Sequence, residues 1–505
     1  MEILAGISDA FTLTTILYVF IGVFLGISVG CIPGLGAGLA IPVCVPLTYY
    51  MSPIAAIGFL VGINKGGMYG GSISAILINT PGDVAAVATT FDGYPMAQKG
   101  QGFKALKTAL FSSCFGDTFS TLLVILVASR VASLALKLSA PEILAVLILA
   151  LALIAALEAE SMIKGIISAA LGLLLATVGM EPTTGMPRFS FGFYRLENGF
   201  SVVTLAIGML AVAEIAKQCL DKDTFYKTIK FKSDDNVDKE KNRFKGKDAF
   251  NLLPTWLRSS CIGAFIGACP GLGGSVAAFL SYGVAKKAGG PCAEFGKGEM
   301  KGIAAPESAN NAVVGAALIP LFTLGIPGSV AASLLIGAFI AQGITPGPLM
   351  FEEHARDVYG IYGSILIGSM ACLILGLVSN KLFVKVLEIP KIIMYPIILF
   401  ICIMGTYATN NDVVDVYLMG FMAIVGLLFK ISGFSFVNLI IGFVLGNQFE
   451  LALQQSVIMF DGNLLMLFQR PISCTLMLIT IAFIIWNTWS TYFRRKECPP
   501  PAEEA

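Results

Sequence analysis

The sequence predicts an all-α polytopic membrane protein, with about 10 to 12 transmembrane helices in two related halves, each containing Pro-Gly-broken or re-entrant helices. Three observations carry this. Hydrophobic residues make up 56% of the chain and charged residues 13%, whereas soluble proteins are nearer a quarter charged. Several long segments contain no charge at all. The tetrapeptide Pro-Gly-Leu-Gly occurs twice, at 33–36 and 270–273, each time inside such a segment.

Residues 10–64 contain no Asp, Glu, Lys, Arg or His, more than twice the roughly 20 residues one helical crossing needs. That segment must cross or re-enter more than once. Further charge-free runs cover 259–285, 308–351 and 471–493. They are continuous apolar runs and not alternating ten-residue strands, which argues against a membrane barrel. The N-terminus lacks the basic region of a cleaved signal peptide, so the first span is expected to stay in the mature chain. A net charge of +1 excludes a nucleic-acid partner, and the single histidine, His354, leaves no zinc constellation. Eleven cysteines without a C-x-x-C pair act as small hydrophobes. No cofactor is implied.

One long polar stretch divides the chain. Lys217 to Asp248 holds ten Lys/Arg and seven Asp/Glu, and the positive-inside rule makes it cytoplasmic. The expected organisation is an N-terminal transmembrane half at 1–216, a charged cytoplasmic linker at 217–252, a C-terminal half at 253–497 and a tail at 498–505. Arg494, Arg495 and Lys496 place the tail on the linker's side. The first 64 residues lack Lys and Arg, which places the N-terminus outside.

The two halves align on each other. Gly26, Gly30 and Pro33–Gly36 match Gly263, Gly267 and Pro270–Gly273 at an offset of 237. Beyond a nine-residue insertion the offset is 246, which places Asn64 on Asn310 and Pro81-Gly82 on Pro327-Gly328. Each half therefore holds two Pro-Gly breaks with an asparagine between them, the internal symmetry common in transporters.

Pro lacks an amide proton and clashes with the preceding helical turn, while Gly admits conformations closed to other residues. Together they stop a helix inside the membrane, where freed backbone groups survive only if they line a cavity or are buried in protein. Half-helix N-termini suit carboxylates and freed carbonyls suit sodium. The candidate substrate-binding residues are therefore Asn64, Lys65, Asn79, Thr80, Ser275, Asn310, Asn311 and Ser329, with the break glycines Gly34, Gly36, Gly82, Gly271, Gly273 and Gly328. Asp83 and Glu307, ionisable groups beside the breaks, are candidates for ion coupling. Asp117 and Glu450 are weaker candidates. The only metal expected is a transported sodium ion. Catalytic residues are not expected. Gly34-x-Gly36-x-Gly38 is no nucleotide-binding fingerprint, and no P-loop occurs.

At these segments the chain closely resembles the large permease subunit of the tripartite tricarboxylate transporters. The resemblance rests on GCIPGLG (30–36), MYGGSISAILINTPG (68–82), FDGYPMAQKG (91–100) and PRFSFG (187–192). It continues through PGLG (270–273), EFGKG (294–298), APESANNA (305–312), LGIPG (324–328), PGP (346–348), Leu445-Gly446, Glu450 and Arg470-Pro471. It implies secondary active uptake of small, citrate-like di- or tricarboxylates across the cytoplasmic (inner) membrane, driven by a proton or sodium gradient. The implied partners are a small four-helix membrane subunit and a periplasmic or surface-anchored solute-binding protein. Where that family usually has aromatic residues, this chain has Asn64-Lys65, which leaves open a permease for another organic anion. A membrane-embedded enzyme would need a nucleophile with a base, and only isolated Asp, Glu and Ser residues are available. A passive channel fits two breaks with mixed amide groups less well than a binding site does.

Overall fold

A computed structural model describes residues 2–32, 36–157, 161–181, 183–220, 242–270, 273–289, 294–386 and 391–497. Gly34 and Gly271, most of the charged linker and the tail at 498–505 lie outside these. The first stretch of helices is α1 (Glu2–Ala10), α2 (Leu13–Gly30), α3 (Ala37–Cys44), α4 (Pro53–Ile78), α5 (Val87–Met96) and α6 (Gly102–Ala135). Next come α7 (Ala140–Leu157), α8 (Met162–Ala176), a two-residue antiparallel hairpin pairing Gly179 with Arg188, and α9 (Val202–Leu220). Then follow α10 (Gly246–Ala268), α11 (Gly273–Gly289), α12 (Met300–Ala316), α13 (Leu318–Leu324) and α14 (Val330–Ala341). The last are α15 (Ala355–Val386), α16 (Lys391–Asn410), α17 (Val413–Ile431), α18 (Phe436–Met459) and α19 (Pro471–Glu497).

The protein is thus an all-α polytopic membrane protein. Among the described residues eight helical segments are long and apolar enough to cross a bilayer, and four shorter apolar helices accompany them. Two of the short ones, α3 and α14, directly follow the Pro-Gly breaks at 33–34 and 327–328, as half-helices should. Helix α4 is not among the eight although it has 26 residues. Its glycines, serines and Asn64-Lys65 lower its apolarity, and it tolerates them because almost its whole length is buried. Helix α12 is buried likewise from Gly302 to Ala316.

The chain divides into two compact units, residues 1–135 with 201–428, and residues 136–200 with 429–505. Each unit draws on segments from both sides of the charged linker. The units are groupings in space, whereas the two halves of the sequence are an order along the chain.

The first unit is built on close contact of small residues. On α2, Gly22, Gly26 and Gly30 face α4 so tightly that an added Cβ would lie 2.2, 2.2 and 2.3 Å from the carbonyl oxygens of Phe59, Ile63 and Gly67. Helix α4 answers with Gly66 and Gly70, whose Cβ atoms would lie 2.3 and 2.5 Å from the oxygens of Val23 and Ile27. In lipid no hydrophobic force draws helices together, so backbone approach through small residues is what joins them. On α10, Gly263 meets the oxygen of Ala309 on α12 at 2.1 Å in the same sense. Gly26 with Ile63 and Gly263 with Ala309 are equivalent pairs at the two sequence offsets.

The breaks match as well. Helix α4 ends on Asn79 in the left-handed region (φ 53°) and α13 on Gly325 (φ 69°), the usual geometry one residue past a helix end. Asp83 and Ser329 then cap the next helical turns through Ala85 N–H and Ala332 N–H. Gly82 is wedged where a Cβ would meet Gly30 O at 2.0 Å and Gly71 Cα at 2.8 Å. Gly328 is wedged against Gly267 O and Ala317 Cα, both at 2.9 Å.

The second unit packs α8 against α18 through Gly172 and Gly442, whose Cβ atoms would reach the oxygens of Leu439 and Ala169 at 2.0 and 2.3 Å. Arg188, from the hairpin, grips Glu450 with two hydrogen bonds of 2.6 and 2.9 Å. Arg470 pairs with Glu142 at 2.8 Å. Three of the motif residues, Arg188, Glu450 and Arg470, therefore serve in two ion pairs, one between the hairpin and α18 and one between the start of α19 and the first turn of α7.

Gly26→Leu is expected to force α2 from α4 at a cost of about 1–3 kcal/mol. The yield of monodisperse protein on size exclusion should fall several-fold. Gly38→Ala, where nothing lies within 4 Å of an added Cβ, should match the wild type; equal yields for the two variants would contradict the packing described.

Candidate functional site

Buried polar side chains of α4, α5 and α12 gather into three groups, besides the Lys65–Asp117 ion pair. The first centres on Glu307, fully buried on α12. Its Oε1 accepts hydrogen bonds from Ser72 Oγ at 2.6 Å and Thr89 Oγ1 at 2.5 Å, and its Oε2 from Ser113 Oγ at 2.8 Å. Each hydroxyl comes from a different helix, α4, α5 or α6. Hydroxyl rotors can donate or accept, so the cage accommodates the carboxyl group with or without its proton.

The second group centres on Asp92 of α5. Its Oδ1 accepts the backbone N–H groups of Gly296, Gly298 and Glu299 at 2.8, 2.9 and 2.8 Å, and its Oδ2 the hydroxyl of Tyr282 at 2.9 Å. The loop 294–299 leads directly into α12, so one carboxylate fixes where that helix begins. Gly302 is required beside it, since a Cβ there would lie 2.0 Å from Asp92 Oδ2.

The third group is the pair of asparagines that follow Glu307. Asn311 Nδ2 donates to the Glu307 carbonyl at 2.9 Å, one turn back on its own helix. Asn310 is buried, and neither its Nδ2 nor its Oδ1 has a hydrogen-bond partner. An unpaired buried amide costs on the order of 1–3 kcal/mol. The surroundings of Asn310 come from both breaks. A Cβ built on Gly274, in the first turn of α11, would lie 2.6 Å from Asn310 Oδ1 and 3.4 Å from both the Ala85 methyl and Met68 Cε. Gly274 follows the second Pro-Gly-Leu-Gly, and Ala85 follows Pro81-Gly82.

The other residues singled out from the sequence fall as follows. Asn64 is buried on α4. Lys65, also buried, is held in an ion pair with Asp117 at 2.7 Å, apart from the Asn310 amide. Gly36 is the cap of α3, and its Cβ would lie 2.8 Å from Asp83 Oδ2, so the two first-half breaks touch through Asp83. Gly82 and Gly328 are wedged as described. Gly273 has φ +68° and Ser275 stands partly buried in the turn after it. Ser329 is a helix cap through its hydroxyl. Asn79 and Thr80 are exposed; the first ends α4 in the left-handed conformation and the second donates to Ile78 O at 3.2 Å.

Thr89, Ser113 and Asp92 escaped the sequence reading as functional residues. Asp92 carried a signal, since it lies in the FDGYPMAQKG segment. Thr89 and Ser113 carried none, because a serine or threonine in a membrane helix most often serves packing. Among the described residues no group of three His, Cys, Asp or Glu side chains could hold a metal ion.

Asp92→Ala should leave three backbone N–H groups without their acceptor. With each unmet group costing about 1–3 kcal/mol, hydrogen exchange in 294–302 should accelerate at least tenfold while exchange in α2 stays unchanged. Unaltered exchange in that loop would show that Asp92 does not anchor it.

The model of the tripartite tricarboxylate transporter TctA family matches residues 16–441 of this chain. An uncharacterised 52.8 kDa protein from the TAR-I ttuC' 3' region of Agrobacterium vitis is 37% identical over 481 residues, 95% of this chain and 94% of that protein. An uncharacterised protein from the TAR-II ttuC' 3' region of the same organism is 38% identical over 223 residues, 44% of this chain and 92% of that protein. No solved structure matches.

Proposed function

The chain belongs to the tripartite tricarboxylate transporter TctA family, a family of transporters and not of enzymes, and on that premise we propose that it is the permease for small di- or tricarboxylate anions. In this reading it works in the cytoplasmic membrane beside a small four-helix subunit. An extracytoplasmic binding protein delivers the anion, and a proton or sodium gradient drives its entry.

The observation that carries the reading is the unpartnered amide of Asn310 at the meeting of the two halves. A group left unpaired at this depth is a standing cost, and a bound carboxylate relieves it by accepting from Nδ2. Helix N-termini after the breaks, at Gly36, Gly273 and Ser329, supply partial positive charge that suits the same anion. Gly36, Gly82, Gly273, Gly328, Ser275 and Ser329 belong to the site as backbone at the breaks, Gly34 and Gly271 through their place in the two Pro-Gly-Leu-Gly motifs of the sequence, and Asn64 and Asn311 as polar neighbours. Lys65, whose donors are taken by protein oxygens, supports the site from outside it, and Asn79 and Thr80 shape the Pro81-Gly82 break.

Coupling is assigned to Glu307, with Asp83 beside the Pro81-Gly82 break. The three hydroxyls around Glu307 come from the N-terminal part of the chain and the carboxyl from the C-terminal part. A change in its charge state therefore alters how firmly the two are joined, which is what a coupled step requires.

The test is uptake of a radiolabelled carboxylate, such as citrate, normalised to the amount of purified complex. Asn310→Ala should lower uptake at least tenfold with assembly intact, Asn311→Ala and Asn64→Ala less. Glu307→Gln should flatten the dependence of uptake on pH or sodium. Near-normal uptake by Asn310→Ala would return that residue to helix packing.

A further inference from the structure

The ion pair of Lys65 and Asp117 has no part in the Glu307 or Asn310 groups, yet it is the most deeply buried charge pair among the described residues, with side chains 2% and 4% exposed. The Lys65 ammonium lies 2.7 Å from Asp117 Oδ2, 2.8 Å from Ser369 Oγ and 2.9 Å from the Ile365 carbonyl oxygen. Those three acceptors use all three of its N–H donors. Ser369 Oγ in turn donates to Asp117 Oδ2 at 2.6 Å. The second carboxylate oxygen, Asp117 Oδ1, is buried and has no hydrogen-bond partner.

A carboxylate, a hydroxyl and a backbone carbonyl converging on one point are hard oxygen donors, the ligand type that hard cations take. An ammonium reaches only as many oxygens as it has N–H bonds, whereas a spherical cation can draw in both oxygens of a carboxylate. We propose that Lys65 is a tethered cation occupying a monovalent-cation pocket formed by Asp117, Ser369 and the Ile365 carbonyl, with Asp117 Oδ1 as the oxygen that the ammonium leaves over. Lysine at position 65 thereby keeps the pocket charge-balanced without a solute ion. Removing the ammonium opens the pocket to sodium, potassium or ammonium. This holds whatever anion the protein carries.

The experiment follows thermal unfolding of the purified full chain in chloride salts of sodium, potassium, ammonium and choline at equal ionic strength. The wild type should unfold at one temperature in all four. Lys65→Ala should unfold lower in choline and regain roughly 2–4 °C or more in at least one of the small cations. The double variant Lys65→Ala, Asp117→Asn, which removes both charges, should fold and show no difference among salts. A cation-independent Lys65→Ala protein overturns the proposal, as does a double variant that responds like the single one. If Lys65→Ala is recovered in no salt while the double variant is, the pocket does not accept a solute cation and the proposal fails. Recovery of neither variant also overturns it, because the packing of the lysine and not its charge would then decide stability.

Discussion

A helix that stops inside a bilayer leaves backbone N–H and C=O groups with no water to bond them. Most of the first unit answers that constraint. At Pro81-Gly82 and Pro327-Gly328 the backbone lies against the Gly30 and Gly267 carbonyls at the ends of α2 and α10, an approach open to it only because Gly82 and Gly328 lack side chains. Enclosure buries α4 and α12, and burial permits these helices to carry serines, asparagines, a lysine and a glutamate that lipid would not accept. The breaks, the glycine rows and the polar centre are therefore consequences of one requirement.

Once buried, each polar group must find a partner. Glu307 finds three hydroxyls, Asp92 three backbone N–H groups and a phenol, and Lys65 a carboxylate, a hydroxyl and a carbonyl. Against that background the bare amide of Asn310 stands out in the first unit, as that of Asn438 on α18 does in the second. The protein supplies partners for more demanding groups a turn away on the same helix, so leaving Asn310 unmet fits a ligand better than it fits packing. Its position beside Gly274 and Ala85 puts it where a small relative movement of the segments after the breaks would be felt first.

The helical membrane fold was legible because charge-free runs of that length have few other uses, and the breaks were legible because proline and glycine act locally. The family followed from motifs spread along the chain. The polar centre was less legible, since its geometry depends on contacts between distant helices. Adjacent Asn310 and Asn311 look alike in sequence, yet a helical turn gives one a backbone carbonyl and the other nothing. Lys65 looked available to a carboxylate substrate, and its partner Asp117 lies 52 positions away. Glu450 looked ambiguous until the hairpin brought Arg188 to it. Asn79 and Thr80 resembled ligands, but a helix end needs a residue that tolerates positive φ, and asparagine does so. The two sequence halves marked where the breaks recur, while the compact units cut across them because packing follows helix faces and not chain order.

In the function proposed, a carboxylate completes the Asn310 amide between the two breaks. A cryo-electron microscopy structure of the full complex with a citrate-like anion bound tests it most directly. Anion density is expected within hydrogen-bond distance of Asn310 Nδ2, with Gly274 and Ala85 on either side. An anion bound elsewhere, with Asn310 still unpaired and enclosed by apolar atoms, would contradict it.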